Sequence, residues 1–324
     1  AVKIDDLQDF SKLNKIKSAA LCDTTNLCGA LEFAEKISKV GTQPIIGTQI
    51  NIKYGDTTGL LPLFSLNEEG YKRIIKLSSF SFLNNNELSD PHIHFEELLE
   101  NTEGVAIFSG TVFGLFGQLF DKGKFSEIHD LYSKIKSSFG DRFYLEIQRH
   151  NDQNEVGFEK FNLKKSLELK IPIIATNEVF YLNKDMHEAH DALVCIGNKT
   201  YVNDKSRKKF SDQHYFKTNP EMTELFADLP EALENNYNFP LRCNFRPLFS
   251  NPILPNISSE KGGKAEDILK KDSLHGLKIK FDKIFGIKAN NLENNKTYLD
   301  YKDRLDHELS IIIEMKYSSY FLIV

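Results

Sequence analysis

Phe143-Tyr144-Leu145-Glu146-Ile147, an amphipathic stretch from Val156 to Leu169, then Ile171-Pro172-Ile173-Ile174-Ala175-Thr176: this run decides the fold class. The two short apolar runs read as strands, and the longer stretch between them reads as a helix. Strand, helix and strand make a crossover unit, which joins parallel strands. The same alternation extends both ways. Upstream, Ser18-Ala19-Ala20-Leu21-Cys22 reads as a buried strand and Asn26 to Lys39 as a helix. Pro44 to Ile52 is the next strand, Leu60 to Leu66 another, and Glu69 to Ser79 a helix. Val105 to Gly110 is a further strand, followed by helical patterns from Phe113 and Phe125. Downstream of Thr176 a helix covers Met186 to Ile196. The strands are apolar without clean alternation, as expected when both faces are covered. The expectation is an α/β fold with parallel pairing. A barrel and a doubly wound sheet both fit.

From about Phe245 the texture changes. Phe245 to Pro255 is a Pro-rich extended connector. A helix (Ala265 to Phe281), a Lys/Asn-rich loop (Lys288 to Lys296) and a second helix follow. That last helix carries Leu305, Leu309, Ile312 and Ile313 on one face. It leads into Tyr320-Phe321-Leu322-Ile323-Val324, which reads as an apolar strand. We place domains at 1–245 and 246–324, and read the second as the start of a further domain. The first residue is Ala1, not Met, and the last five are apolar, whereas free ends are usually polar and frayed. The sequence therefore reads as a piece of a longer polypeptide.

Lys plus Arg number 41 against 46 Asp plus Glu, a net charge of −5. That balance argues against a dedicated duplex binder and leaves room for one local nucleic-acid face. No uncharged apolar run reaches the roughly 18 to 20 residues of a membrane span, and Ala1 to Asp5 has no signal-peptide core. The expected setting is cytoplasmic, with no membrane partner. Cys22, Cys28, Cys195 and Cys243 form no CxxC pair, so we read them as small core residues in a reducing compartment.

In parallel α/β folds ligands bind at the C-terminal ends of strands. Those ends carry Asp23-Thr24-Thr25-Asn26, Gly47-Thr48-Gln49, Ser109-Gly110-Thr111, Glu146 to His150, and Asn177-Glu178-Val179-Phe180. A hydrolytic metal cluster needs several imidazoles and carboxylates together. One imidazole, His150, with Asp23, Glu146 and Glu178 is a poor set, so we read these residues as polar loop and capping groups. His92-Ile93-His94 reads as a pair of solvated loop histidines ahead of an acidic helix, Phe95 to Glu103. His187 and His190 share a helix face with Asp191 and read as helix-start polar residues. The basic run Asp204 to Phe210 is able to meet phosphates but reads as a solvated loop, and Gly262-Gly263 as a flexible one. No phosphate-cradling GxxxxGK[ST] loop and no GxSxG elbow is present.

Seven stretches acquire meaning together: Asp23 to Gly29, Gln43 to Gly47, Asn67 to Tyr71, Ala175 to Val179, His190 to Leu193, Phe226 to Ala232, and Arg304-Leu305 through Val324. In order and spacing they resemble the alpha subunits of bacterial DNA polymerase III, the C-family replicative polymerases. The resemblance implies an N-terminal polymerase-and-histidinol-phosphatase (PHP) domain. That is a distorted β/α barrel of about seven strands, related to metal-dependent phosphoesterases, with a palm domain after it. It implies that a first His-x-His strand precedes Ala1, and that 246–324 is the first palm segment. The parent would be a DNA-directed DNA polymerase, a nucleotidyltransferase using Mg at palm aspartates beyond Val324. Its partners would be primed DNA, deoxynucleotides, the sliding clamp and other replicase subunits. These 324 residues alone would be inactive and without cofactor.

The resemblance also permits a comparison of metal ligands. Members with an active PHP site have His at the position of Thr24, Glu at Gln49, His at Leu60, and Asp-x-His at Glu178-Val179-Phe180. His150 falls on a ligand position, and Glu178 keeps the carboxylate. The expectation is a degenerate PHP domain without metal, with His150 and Glu178 as vestiges. It would stabilise the polymerase and dock the proofreading exonuclease subunit. The alternatives are a residual metal-dependent phosphoesterase or 3'-5' exonuclease using His150 and Glu178, and a purely structural interaction module.

Overall fold

β2 (Gln43–Tyr54) is the strand around which the first unit is built. Twelve residues long, it serves three partners. One edge pairs parallel with β1 (Ser18–Thr24) and, further along, with the two-residue β4 (Ile93–His94). The other edge pairs antiparallel with β3 (Thr57–Ser65). In this computed structural model, which describes residues 2–84, 89–207, 209–251, 263–286, 292 and 294–324, the sheet continues from β3 to β5 (Val105–Phe108), again antiparallel. From there β6 (Phe143–Ile147) and β7 (Ile173–Ala175) follow in parallel. The order is β1-β2-β3-β5-β6-β7, with β4 on the edge of β2.

The expected α/β fold is present, but the expectation of parallel pairing throughout is corrected. β3 runs antiparallel to β2 because only Gly55 and Asp56 separate them, too few for a crossover, and β3 pairs antiparallel with β5 as well. Gly55 at φ +57° supplies the positive first position that a tight hairpin needs.

Among the described residues this unit has ten α-helices: α1 (Ile4–Leu13), α2 (Ala30–Lys39), α3 (Glu68–Leu83), α4 (Phe95–Leu98), α5 (Leu115–Asp121), α6 (Phe125–Phe139), α7 (Glu155–Leu169), α8 (His187–Gly197), α9 (Asn219–Leu225) and α10 (Pro230–Asn238). Neighbouring residues on one strand go to different cores. Leu63, Ile107, Phe143 and Ile173 join one cluster, and Phe64, Phe108, Tyr144 and Ile174 join another. Both faces of the sheet are thus covered, which explains the largely apolar runs. The acidic helix expected over Phe95 to Glu103 stops at Leu98.

Side chains finish the outer edge of β7. Asn235 of α10 donates its amide to the Ile173 carbonyl at 2.8 Å, and Asn236 donates to the Ala175 carbonyl. Alternate carbonyls of a strand point to opposite edges, and β6 uses the other set.

The chain divides into two compact units, Ala1–Phe249 and Ser250–Val324. The second holds α11 (Ala265–Phe285), α12 (Lys296–Glu314) and α13 (Ser318–Ile323). Its small core joins Phe281, Leu292 and Tyr298. The terminal strand expected over Tyr320 to Val324 is corrected: residues 318–323 are helical. Short apolar runs carry no period that separates strand from helix. Here Lys316, at φ +60°, ends α12, and a new helix starts at Ser318. Residues 245–251 carry no helix or strand, in keeping with a connector. Residues 252–255 of that connector, Gly262, Lys208, and residues 288–291 and 293 of the Lys/Asn-rich loop lie outside the described residues.

Candidate functional site

The strand ends assemble one constellation. Register places Asp23 beside Thr48 and Thr24 beside Gln49. Glu178, just beyond β7, accepts a hydrogen bond from Gln49 Nε2 at 3.3 Å. Glu146, on β6, accepts from Gln148 Nε2 at 3.0 Å and from the Thr176 hydroxyl. Its other oxygen, Oε2, is buried without a partner. Burial pushes the Glu146 carboxyl up to about 7, and the nearby charge of Glu178 adds to the rise. Burial likewise raises Asp23. It raises the Cys22 thiol well above its usual value, with Glu146, Asp23 and Glu178 contributing. These residues therefore crowd acidic groups into one poorly solvated end of the sheet.

Among the described residues, these side chains do not form a group of three His, Cys, Asp or Glu with converging ligand atoms. Thr24, Gln49, Leu60 and Phe180 occupy the positions compared above. Burial disfavours the charged form of Glu146, and among the described residues no imidazole is hydrogen-bonded to the side chains of this set. Among the described residues, the single group of three His, Cys, Asp or Glu side chains with converging ligand atoms lies elsewhere: His150, Asp152 and His214.

This second constellation is built from two loops. His150 and Asp152 lie between β6 and α7, where Glu155, the first residue of α7, accepts the backbone N–H groups of His150 and Asn151. His214 comes from the segment between α8 and α9. That segment runs alongside residues 180–182: Phe180 N–H donates to the His214 carbonyl at 2.9 Å and Phe216 N–H to the Tyr181 carbonyl at 3.0 Å. The two imidazoles stack, with centroids 4.0 Å apart and planes 2° from parallel. Phe180 stacks on His214 at 4.6 Å, and His190 on Phe180 at 5.0 Å, giving a column of four rings. His214 Nε2 lies 3.0 Å from Asp152 Oδ2 and Nδ1 lies 3.1 Å from the Glu178 carbonyl. His150 Nε2 lies 3.0 Å from Asn177 Oδ1, and Nδ1 lies 3.3 Å from Glu155 Oε1. Lys217, buried beside them, donates to Asn177 Oδ1 at 3.0 Å. Burial pushes its ammonium down to about 8.

The structure thus gives His150 and Glu178 different partners. His150 meets Glu155 and Asn177, whereas the Glu178 side chain turns to Gln49. Asp152, His214 and Lys217 are new to the site; apart from the short His-x-Asp spacing of His150 and Asp152, no local pattern marks them.

The remaining candidates have structural partners. His92 is buried, not solvated, and its ring meets that of His94 edge-on at 5.7 Å. His187 Nε2 donates to the Phe210 carbonyl at 3.1 Å. Arg207, from the basic run, forks the Asp191 carboxylate at 2.5 Å on both oxygens, so it is committed to the fold. All four cysteines are free, and Cys28 is exposed where a core residue was expected. Among the described residues no helix is long and apolar enough to cross a membrane.

Comparison with known proteins follows the same lines. Residues 1–150 match the PHP domain family. The whole chain is 37% identical over 326 residues to the DNA polymerase III subunit alpha of Rickettsia conorii, and covers 28% of that protein. It is 34% identical over 332 residues to that of Caulobacter vibrioides, again all of this chain and 28% of the relative. Against the Vibrio cholerae protein the identity is 34% over 313 residues, 94% of this chain and 26% of the relative. The chain thus spans little more than a quarter of the length of these relatives. The resemblance read from the residues is borne out, and so is the distorted β/α barrel as its fold.

Proposed function

We propose that this chain, which carries a PHP domain and is similar along its whole length to DNA polymerase III subunit alpha, is a non-catalytic part of a DNA-directed DNA polymerase. The similarity of all 324 residues, both units included, carries this reading. The parent would extend primed DNA with deoxynucleotides in the cytoplasm, using Mg at a palm whose first segment is residues 246–324. It would work with the sliding clamp and other replicase subunits.

Within the parent, residues 1–245 act as a scaffold whose strand-end centre has lost its metals and which docks the proofreading exonuclease subunit. Three features support this. Uncharged or apolar side chains stand at Thr24, Gln49, Leu60 and Phe180; Glu146 is protonated near neutrality by burial; and the carboxylates lack an imidazole partner. A phosphoesterase or exonuclease built on His150 and Glu178 would need those side chains to meet, and they have separate partners.

The test uses the full-length parent. It should extend a primed template at an unchanged rate when Gln49 and Glu178 are both replaced by Ala, and should release no phosphate or nucleotide through this domain. Co-elution of the proofreading exonuclease subunit with the 324-residue chain is expected. Primer extension that fails in the unaltered parent would overturn the polymerase assignment. Hydrolysis abolished by Glu178→Ala would overturn the scaffold.

A further inference from the structure

We propose that His150, Asp152 and His214 bind one divalent ion of the zinc class, which ties the loop at 148–154 to the segment at 209–217. The argument begins with lone pairs. His214 turns Nδ1 to the Glu178 carbonyl and Nε2 to the Asp152 carboxylate. His150 turns Nδ1 to the Glu155 carboxylate and Nε2 to Asn177 Oδ1. That amide is oriented by its own bonds, since Oδ1 accepts from Lys217 and Nδ2 donates to the Tyr215 carbonyl at 2.7 Å. All four ring nitrogens face acceptors, but a neutral imidazole has one N–H. Each ring therefore sets one nitrogen lone pair against an oxygen, in a place where both imidazoles are 1% exposed.

A metal ion accepts such lone pairs, and here two imidazoles stacked at 4.0 Å and a carboxylate bring their ligand atoms together. His214 already has the outer bond of a metal-bound histidine, Nδ1 on the Glu178 carbonyl, which leaves Nε2 for the ion, while His150 Nδ1 lies 3.3 Å from Glu155 Oε1. Two imidazoles and a carboxylate suit zinc and its neighbours. Asp152 and Glu155 bring two carboxylates against the single ammonium of Lys217.

The ligand atoms lie within 4.8 Å of one another. Donors on tetrahedral zinc stand roughly 3.3 Å apart. His214 Nε2 and Asp152 Oδ2 already meet that span at 3.0 Å. His150 must close the rest, so ion binding turns the two rings out of their parallel stack. The ion is structural and does not use the Glu178 side chain, which bonds Gln49, so it leaves the scaffold reading intact.

The untagged 324-residue chain, stripped with chelator, is titrated with Zn2+ by calorimetry and with Co2+ by visible absorption. One ion per chain is expected, with cobalt ligand-field bands and a thermal midpoint that rises with Zn2+ and falls again with chelator. Asp152→Asn keeps the shape and a hydrogen-bonding oxygen. It should weaken binding by more than about tenfold, as should His214→Gln, while His94→Ala, outside the site, leaves binding unchanged. Absence of stoichiometric binding in the unaltered chain overturns the proposal. So does binding of unchanged affinity in a folded Asp152→Asn variant.

Discussion

Arg149 and Asp228, 79 residues apart, meet in a two-point ion pair, with the guanidinium donating at 2.6 and 2.8 Å to the two carboxylate oxygens. The same guanidinium forks Glu159 of α7 at 3.0 and 2.7 Å and donates to the Leu225 carbonyl at the end of α9. It also lies 4.9 Å from the ring centroid of buried Phe226. Asp228 is mostly exposed, so its share alone stabilises by less than about 1 kcal/mol. The contacts to Glu159 and Phe226 add to it. Arg149→Lys keeps the charge but loses the fork, and should cost about 1 to 2 kcal/mol. Arg149→Ala should cost about 2 to 4 kcal/mol. Urea unfolding decides. A Lys variant within about 0.5 kcal/mol of the unaltered chain, the scatter of plain surface changes, would deny the fork its role.

Glu146 makes stability depend on pH. Its ordinary value is 4.5, and burial lifts it to about 7 in the fold. Between these values the folded chain holds the proton and the unfolded chain releases it. Its contribution is therefore fully present below the unfolded value. It declines as pH rises from about 4.5 to about 7, by up to about 3 kcal/mol. Glu146→Gln removes this slope. Relative to the unaltered chain the variant should gain stability steadily from pH 5 to about pH 8. A difference in unfolding midpoint that stays flat over this range would show that the carboxyl is not held neutral.

Gly70 touches the turn before β5. A Cβ there would stand 1.8 Å from the Gly104 carbonyl oxygen, so Gly70→Ala must push α3 off the sheet. We expect a loss of at least about 3 kcal/mol. Gly123, at φ +71° with nothing within 4 Å of its Cβ position, should lose only about 1 kcal/mol as Ala. Equal losses for the two variants in chemical denaturation would refute the close approach.

Thr218 caps α9. Its hydroxyl side shares a capping box with Glu221, whose carboxylate accepts the Thr218 N–H at 2.8 Å. Thr218→Ala should cost about 1 kcal/mol. It should also raise amide hydrogen exchange at residues 219 and 221 before the rest of the unit responds. Unchanged exchange there would mean that the cap carries no weight.

How much of this was legible beforehand follows from where the information sits. The largely apolar runs at 143–147 and 171–176 report strands covered on both faces, and the structure covers them with two different cores. Strand direction was not legible. For β2 and β3 it rests on the two-residue link Gly55-Asp56, a feature of connection length that apolar periodicity does not record. Phe321-Leu322-Ile323 misled for a related reason, since so short an apolar run has no period. His150 and Glu178 were named as vestiges from resemblance, but their partners were hidden in the tertiary fold. His214 lies 62 residues from Asp152 and reaches it only because its segment runs beside residues 180–182. His92 looked solvated because its neighbours in sequence are polar, yet β4 seats it against the sheet.

The amides of Asn235 and Asn236 set a limit on how far the domain can be trimmed. They saturate the outward carbonyls of β7, so a strand from another molecule would have to evict two donors before it could add there. Shortening the chain to residue 150, where the family match stops, would discard β7 together with its seal and bare the edge of β6. Ending between β7 and α10 would leave the Ile173 and Ala175 carbonyls as an adhesive border. The smallest piece that closes its own sheet on this side therefore extends beyond Asn236.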